Sequence, residues 1–111
     1  MGTIQHHALL VVVNGDSERA RMAVEGVKDF ARSKNEIRTT SFADLIVVVP
    51  GVVNLYTTVI MAPDGSKEYW DTSDRGDEIR AYFTKIMSTY GEVIEVSWGE
   101  YGTSMNGERV T

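Results

Sequence analysis

The chain contains no cysteine, which removes a disulfide framework and any thiolate metal site from consideration. It also lacks a long apolar run. The longest near its start, Ala8 to Val13, is far too short to span a bilayer. Basic residues are in the minority, 11 against 16 acidic ones, for a net charge of -5. That balance argues against a sequence-independent grip on nucleic-acid phosphates, which needs a basic patch. The helix-like stretch holding Arg19, Arg21, Lys28 and Arg32 interleaves them with Glu18, Glu25 and Asp29, as on a solvated face. No basic n-region precedes the first apolar run, and His6 stands where a myristoylation signal needs Ser or Thr. The expectation is a cytoplasmic protein with no membrane and no nucleic-acid polymer among its partners.

What is present suits a single soluble domain of 111 residues, 42% hydrophobic and 24% charged. "HHALLVVVNGD" predicts a strand, apolar on both faces and therefore central and covered twice. "DSERARMAVEGVKDFARSKN" predicts a helix capped by Asp16 or Ser17. Its Ala20, Ala23, Val24, Val27, Phe30 and Ala31 form one stripe. From Ile37 to Leu55 the pattern predicts a short or irregular strand, a bend at Pro50-Gly51 and a further extended stretch. "LYTTVIMAPDG" then predicts a strand closed by a turn at Pro63-Asp64-Gly65.

Ile79, Tyr82, Phe83, Ile86, Met87 and Tyr90 repeat as one helix face, with Ser73 or Asp74 as cap and Gly91 as stop. "EVIEVSWGEYG" predicts a last strand with Ile94, Val96 and Trp98 inward and Glu95 and Ser97 outward, followed by a loose tail over residues 103–111. This order predicts an α+β fold, a ferredoxin-like split βαβ sandwich with two helices on one face of a mostly antiparallel sheet. Whichever apolar set faced away from the helices would favour burial against a partner, most simply a second copy in a homodimer.

Chemical motifs are sparse. His6 and His7 are adjacent and point to opposite faces of a strand, so they do not chelate one metal together. Asp64, Glu68, Asp71, Asp74, Asp77 and Glu78 form an acidic cluster, but its spacing is not that of a calcium loop. A turn and a helix start account for most of these acids. No G-x-S-x-G or P-loop occurs, no Ser-His-Asp spacing stands out, and neither a cofactor nor a metal is expected. The surplus lies in "SKEYWDTSDRGD". Lys67, Trp70, Ser73, Arg75 and Gly76, with His7 as an addition, offer donors and an aromatic face beside a helix N-terminus. Trp70 also has a plain structural reading, as a plug of the core or its rim.

"HHALLVVV", "APDGSKEYWDTSDRGDE" and "VIEVSWGEYG", in that order, resemble a family of small, largely uncharacterised accessory proteins of tailed bacteriophages. The resemblance spans most of the chain and departs from the pattern between Ile37 and Leu55. It implies a counter-defence context and carries no catalytic residues to transfer. The expectation is a non-enzymatic protein that sequesters a small host-derived ligand, such as a nucleotide immune signal. An inhibitor of a host defence protein, using the apolar sheet face or the 41–56 loop, is the alternative. A small nucleotide-cleaving enzyme using His6 or His7 with a carboxylate is a third.

Overall fold

A computed structural model describes residues 3–14, 18–33, 42–53, 56–68 and 70–109. The elements are β1 (Gln5–Asn14), α1 (Glu18–Ser33), a 3₁₀ turn (Phe42–Leu45), β2 (Ile46–Pro50), β3 (Tyr56–Met61), α2 (Asp71–Met87), β4 (Val93–Gly99), β5 (Ser104–Met105) and β6 (Glu108–Arg109). The fold is α+β. One sheet runs β2-β3-β1-β4-β5-β6, every neighbouring pair antiparallel, with the two helices side by side on one face.

β1 is central because its β-branched run has a partner along both edges: Leu9 sits opposite Met61 on one side and Glu95 on the other. Its odd-numbered residues face the helices. Leu9, Val11 and Val13, with Val59 and Met61 of β3, are fully buried against Val24 and Val27 of α1 and Ile79 and Phe83 of α2. Complete burial of an apolar side chain of this size stabilises by roughly 1.5–3 kcal/mol. The two helices meet through Phe30 and Tyr82, whose rings stack with centroids 4.2 Å apart. The expected stripe of α1 is the buried one, with Ala20, Val24, Val27 and Ala31 inside and Ala23 and Phe30 partly so. Its proposed caps, Asp16 and Ser17, lie outside the described residues.

The structure departs from the sequence expectations in several places. β1 is central but covered once, because both helices occupy the same side. On β4 the faces are reversed: Glu95 and Ser97 align with Leu9 and His7 toward the helix side, whereas Ile94, Val96 and Trp98 share the open side with Leu10, Ala8 and His6. Ser97 is tolerated inside because it accepts a 2.7 Å hydrogen bond from Gln5, itself buried.

Within residues 103–111, expected as a loose tail, Ser104–Met105 and Glu108–Arg109 form two short strands that extend the sheet beyond β4. Helix α2 starts at Asp71, before the expected caps, and Trp70 occupies the N-cap without a side-chain cap bond. It ends at Met87. Gly91, expected to stop it, serves instead where the chain passes so close to the Val12 carbonyl that a Cβ would collide.

Two helical glycines now have opposite meanings. A Cβ on Gly26 of α1 would meet nothing within 4 Å, whereas one on Gly76 of α2 would land on the buried Asp64 carboxylate. In urea titrations Gly26→Ala is expected to stabilise the protein by about 0.5–1 kcal/mol. Gly76→Ala is expected to destabilise it by about 1–3 kcal/mol, because the overpacked carboxylate has to shift.

Candidate functional site

The stretch between β3 and α2 leaves the β1 edge at Met61, loops outward, and returns to the residue just before β1 through an isolated bridge between Lys67 and Ile4. Gly65 supplies the left-handed turn at φ +79°, and Asp64 Oδ1 accepts the Ser66 amide at 2.9 Å. The Glu68 amide donates to the Thr3 carbonyl at 2.7 Å. This short return aims Glu68 at the helix-facing side of β1, where His7 lies.

There a polar cluster closes on itself. His7 Nε2 and Glu68 Oε1 are 2.8 Å apart, and Ser73 donates to Glu68 Oε2 at 3.3 Å. Ser66 donates to Thr72 Oγ1 at 2.8 Å beside them. The order is histidine, carboxylate, serine: the hydroxyl bonds the carboxylate rather than the imidazole. A serine nucleophile needs its hydroxyl on the base, and this arrangement does not provide that. The His7–Glu68 pair orients one ring and ties the N-terminal end of β1 to the loop.

A second charged cluster lies deeper. Arg80 Nη1 stands 3.5 Å from Asp64 Oδ2, with the two side chains only 6% and 9% exposed, while its Nη2 donates to Asp77. Asp64 Oδ2 is buried and accepts no hydrogen bond, so the guanidinium charge is what compensates it. Gly76 is the consequence: the carboxylate and the guanidinium occupy the space a side chain would need.

The residues expected to form a binding site therefore separate. His7 and Ser73 meet through Glu68. Lys67 and Trp70 meet each other, with the lysine ammonium 5.7 Å from the ring centroid. Trp70 is not a core plug, being 46% exposed. Gly76 is buried under Asp64 and belongs to the packing. Of the helix-start amides from Ser73 to Gly76 that could have held an anion, the last three are displaced from that role by the early helix start. The Asp74 amide already bonds the Trp70 carbonyl at 3.2 Å, and those of Arg75 and Gly76 continue the helical pattern. Arg75 is half-buried on the same helix. His6 lies on the opposite face from His7, its ring tilted against Trp98 at 5.5 Å.

The acids do not converge. Asp64 and Asp77 serve Arg80, Glu68 serves His7, and Asp71 and Asp74 are exposed on the first turn of α2. Among the described residues no group of three or more His, Asp or Glu is arranged to hold a metal ion. Sequence reasoning attributed Asp64 and Glu68 to a turn and a helix start, without their partners, and passed over Arg80. The one signal for them was Gly76, a helix-interior glycine four residues before an arginine.

No family model, curated protein or solved structure matches the chain. Among the described residues no helix is long and apolar enough to cross a membrane.

The buried pair makes a measurable claim. Arg80→Met removes the charge facing Asp64 and is expected to cost about 3–5 kcal/mol in urea titrations. Adding Asp64→Asn should recover part of that loss, because the stranded carboxylate is then neutral. A double variant no more stable than Arg80→Met would mean that the two groups are uncoupled.

Proposed function

We propose that the protein is a non-enzymatic phage accessory protein, acting in the host cytoplasm, that binds and sequesters a small host-derived ligand such as a nucleotide signal. The observation that carries this is the ledge made by Lys67 and Trp70. A tryptophan left 46% exposed at a helix start, with an ammonium 5.7 Å from its ring, offers an aromatic face and a positive charge together. An aromatic anion uses both: its ring stacks and its phosphate or carboxylate meets the lysine. The non-enzymatic part rests on the cluster beside it, where Ser73 bonds Glu68 rather than His7.

The fold we assign on the same footing is the ferredoxin-like split βαβ sandwich, with β5 and β6 added at the β4 edge. It is supported by β3 lying between β1 and β2, which splits the β1–α1–β2 unit, and by β4 flanking β1 on its other side.

Inhibition of a host defence protein is the second reading, and the turn after β2 favours it. Val52 is 100% exposed and Val53 69%, at the tip of a hairpin that also presents Val49. The nucleotide-cleaving alternative would rest on His7 as a base oriented by Glu68.

Native mass spectrometry of the full chain recovered from infected host cells tests these readings. Sequestration predicts an added mass in the range of a nucleotide, released intact on denaturation. An enzyme would release product instead. A host protein that co-purifies and is lost with Val52→Asp would favour the inhibitor. For whichever nucleotide is released, Trp70→Ala should weaken binding about 10- to 100-fold, the worth of one stacked base, with little change in melting temperature. Binding untouched by both Trp70→Ala and Lys67→Ala would sink the assignment of the ledge.

A further inference from the structure

We infer that the open face of the sheet is covered in solution by a second copy of this chain, packed sheet against sheet. The register defines the face. Val47, Ile60, Leu10 and Ile94 form one row across β2, β3, β1 and β4. Ala8, Val96 and Met105 form another, and His6 lies beside Trp98 at one end. Val12 and Val47 are both 47% exposed here, whereas their chain neighbours Val11 and Ile46, on the helix side, are 1% and 3% exposed. Monomeric proteins rarely leave a contiguous apolar surface of this extent open.

Charge points to the occupant. The chain is 24% charged, yet no Asp, Glu, Lys or Arg of β1 to β4 faces this side; Glu95, the charged exception in those strands, faces the helices. A two-fold dimer sets one patch against itself, so any charge near its centre would meet its own like. A sheet centre without charges avoids that penalty and leaves Glu108 and Lys67 at the margins of the face, on a chain whose net -5 repels its own copy elsewhere. A foreign partner would find no charge on the four longer strands to steer its approach or fix its register.

The area is sufficient. Strands ~4.8 Å apart and ~20 Å of strand length give ~400 Å² in projection for the four longer strands. With side-chain relief that is on the order of 600 Å² per copy, or about 1,200 Å² in total, where specific stable interfaces begin.

This inference is independent of the ledge at Lys67 and Trp70. Sedimentation velocity of the full chain across the micromolar range tests it, and a dimer is expected. Leu10→Lys and Leu10→Glu place a charge mid-face and should each give a monomer with an unchanged circular dichroism spectrum. Mixing the two in equal amounts should restore the dimer. Val47→Lys is the second disrupting variant in case a Leu10 variant does not fold, and Met22→Lys, on the exposed side of α1, should leave the dimer intact. A wild type that is monomeric at every concentration overturns the inference, including one that captures a host protein through this face. A dimer indifferent to a folded Leu10→Lys or Val47→Lys variant overturns it as well.

Discussion

Everything in this fold hangs on β1. It is hydrogen-bonded along both edges, to β3 and to β4, and its odd residues form the floor on which the helices pack. The residues just before it also carry the loop before α2, through the bridge from Ile4 to Lys67 and the bond from the Glu68 amide to Thr3. None of these partners is local. Leu9 meets Met61 and Glu95, and His7 meets Glu68, so the strand gains its satisfied backbone only once distant parts of the chain have closed onto it. Contacts of this separation require loop closure before they stabilise, which places a mixed helix-and-sheet fold such as this between helical bundles and all-β folds in folding speed. A charge or a proline in β1 would consequently disturb the sheet, the core and the site loop together.

The loop between β3 and α2 is fixed at two depths, and each uses charge differently. Near the surface, His7 and Glu68 are both partly exposed, so water softens the attraction and orientation is the main gain. Deeper in, Asp64 and Arg80 are almost dry. A lone carboxylate there would be untenable, and the guanidinium makes the burial possible without making it cheap. That pair dictates sequence at a third position, because Gly76 has to leave room for it. A helix-weakening glycine of this sort is normally a cost of about 1 kcal/mol. Here the closeness of the ion pair requires it.

The helices were legible in the sequence because their evidence is local. Ile79, Phe83 and Met87 repeat at the helical period and are buried, just as Val24 and Val27 are in α1. The strands were legible as strands but ambiguous in facing. Alternation divides β4 into Ile94, Val96 and Trp98 on one side and Glu95 and Ser97 on the other. It does not say which side the helices take. The more apolar set was expected inside, and the structure places it on the open face, because Gln5 waits beside β4 to satisfy Ser97. Glu68 and Asp64 were read as turn and cap acids for a related reason. Turn and cap chemistry is a complete local account of acids at those positions, so nothing in the neighbouring residues points to His7 or Arg80.

The two surfaces with functional promise are not spatially unrelated. Residues paired across a bridge project to the same side of a sheet, so Lys67 shares the side of Ile4, which is that of His6 and Trp98. Glu68, one residue on, takes the other side and finds His7. The alternation of a single short bridge therefore sends the lysine toward the open face and the glutamate into the helix-side cluster. The Lys67–Trp70 ledge consequently borders the end of the apolar face, while the groups that hold the loop in place are turned away from it. A partner packed over the sheet centre would leave each ledge at the rim, where a polar ligand stays hydrated on one side and stacked on the other. Separate support for the two surfaces is what allows one to change without unfastening the other.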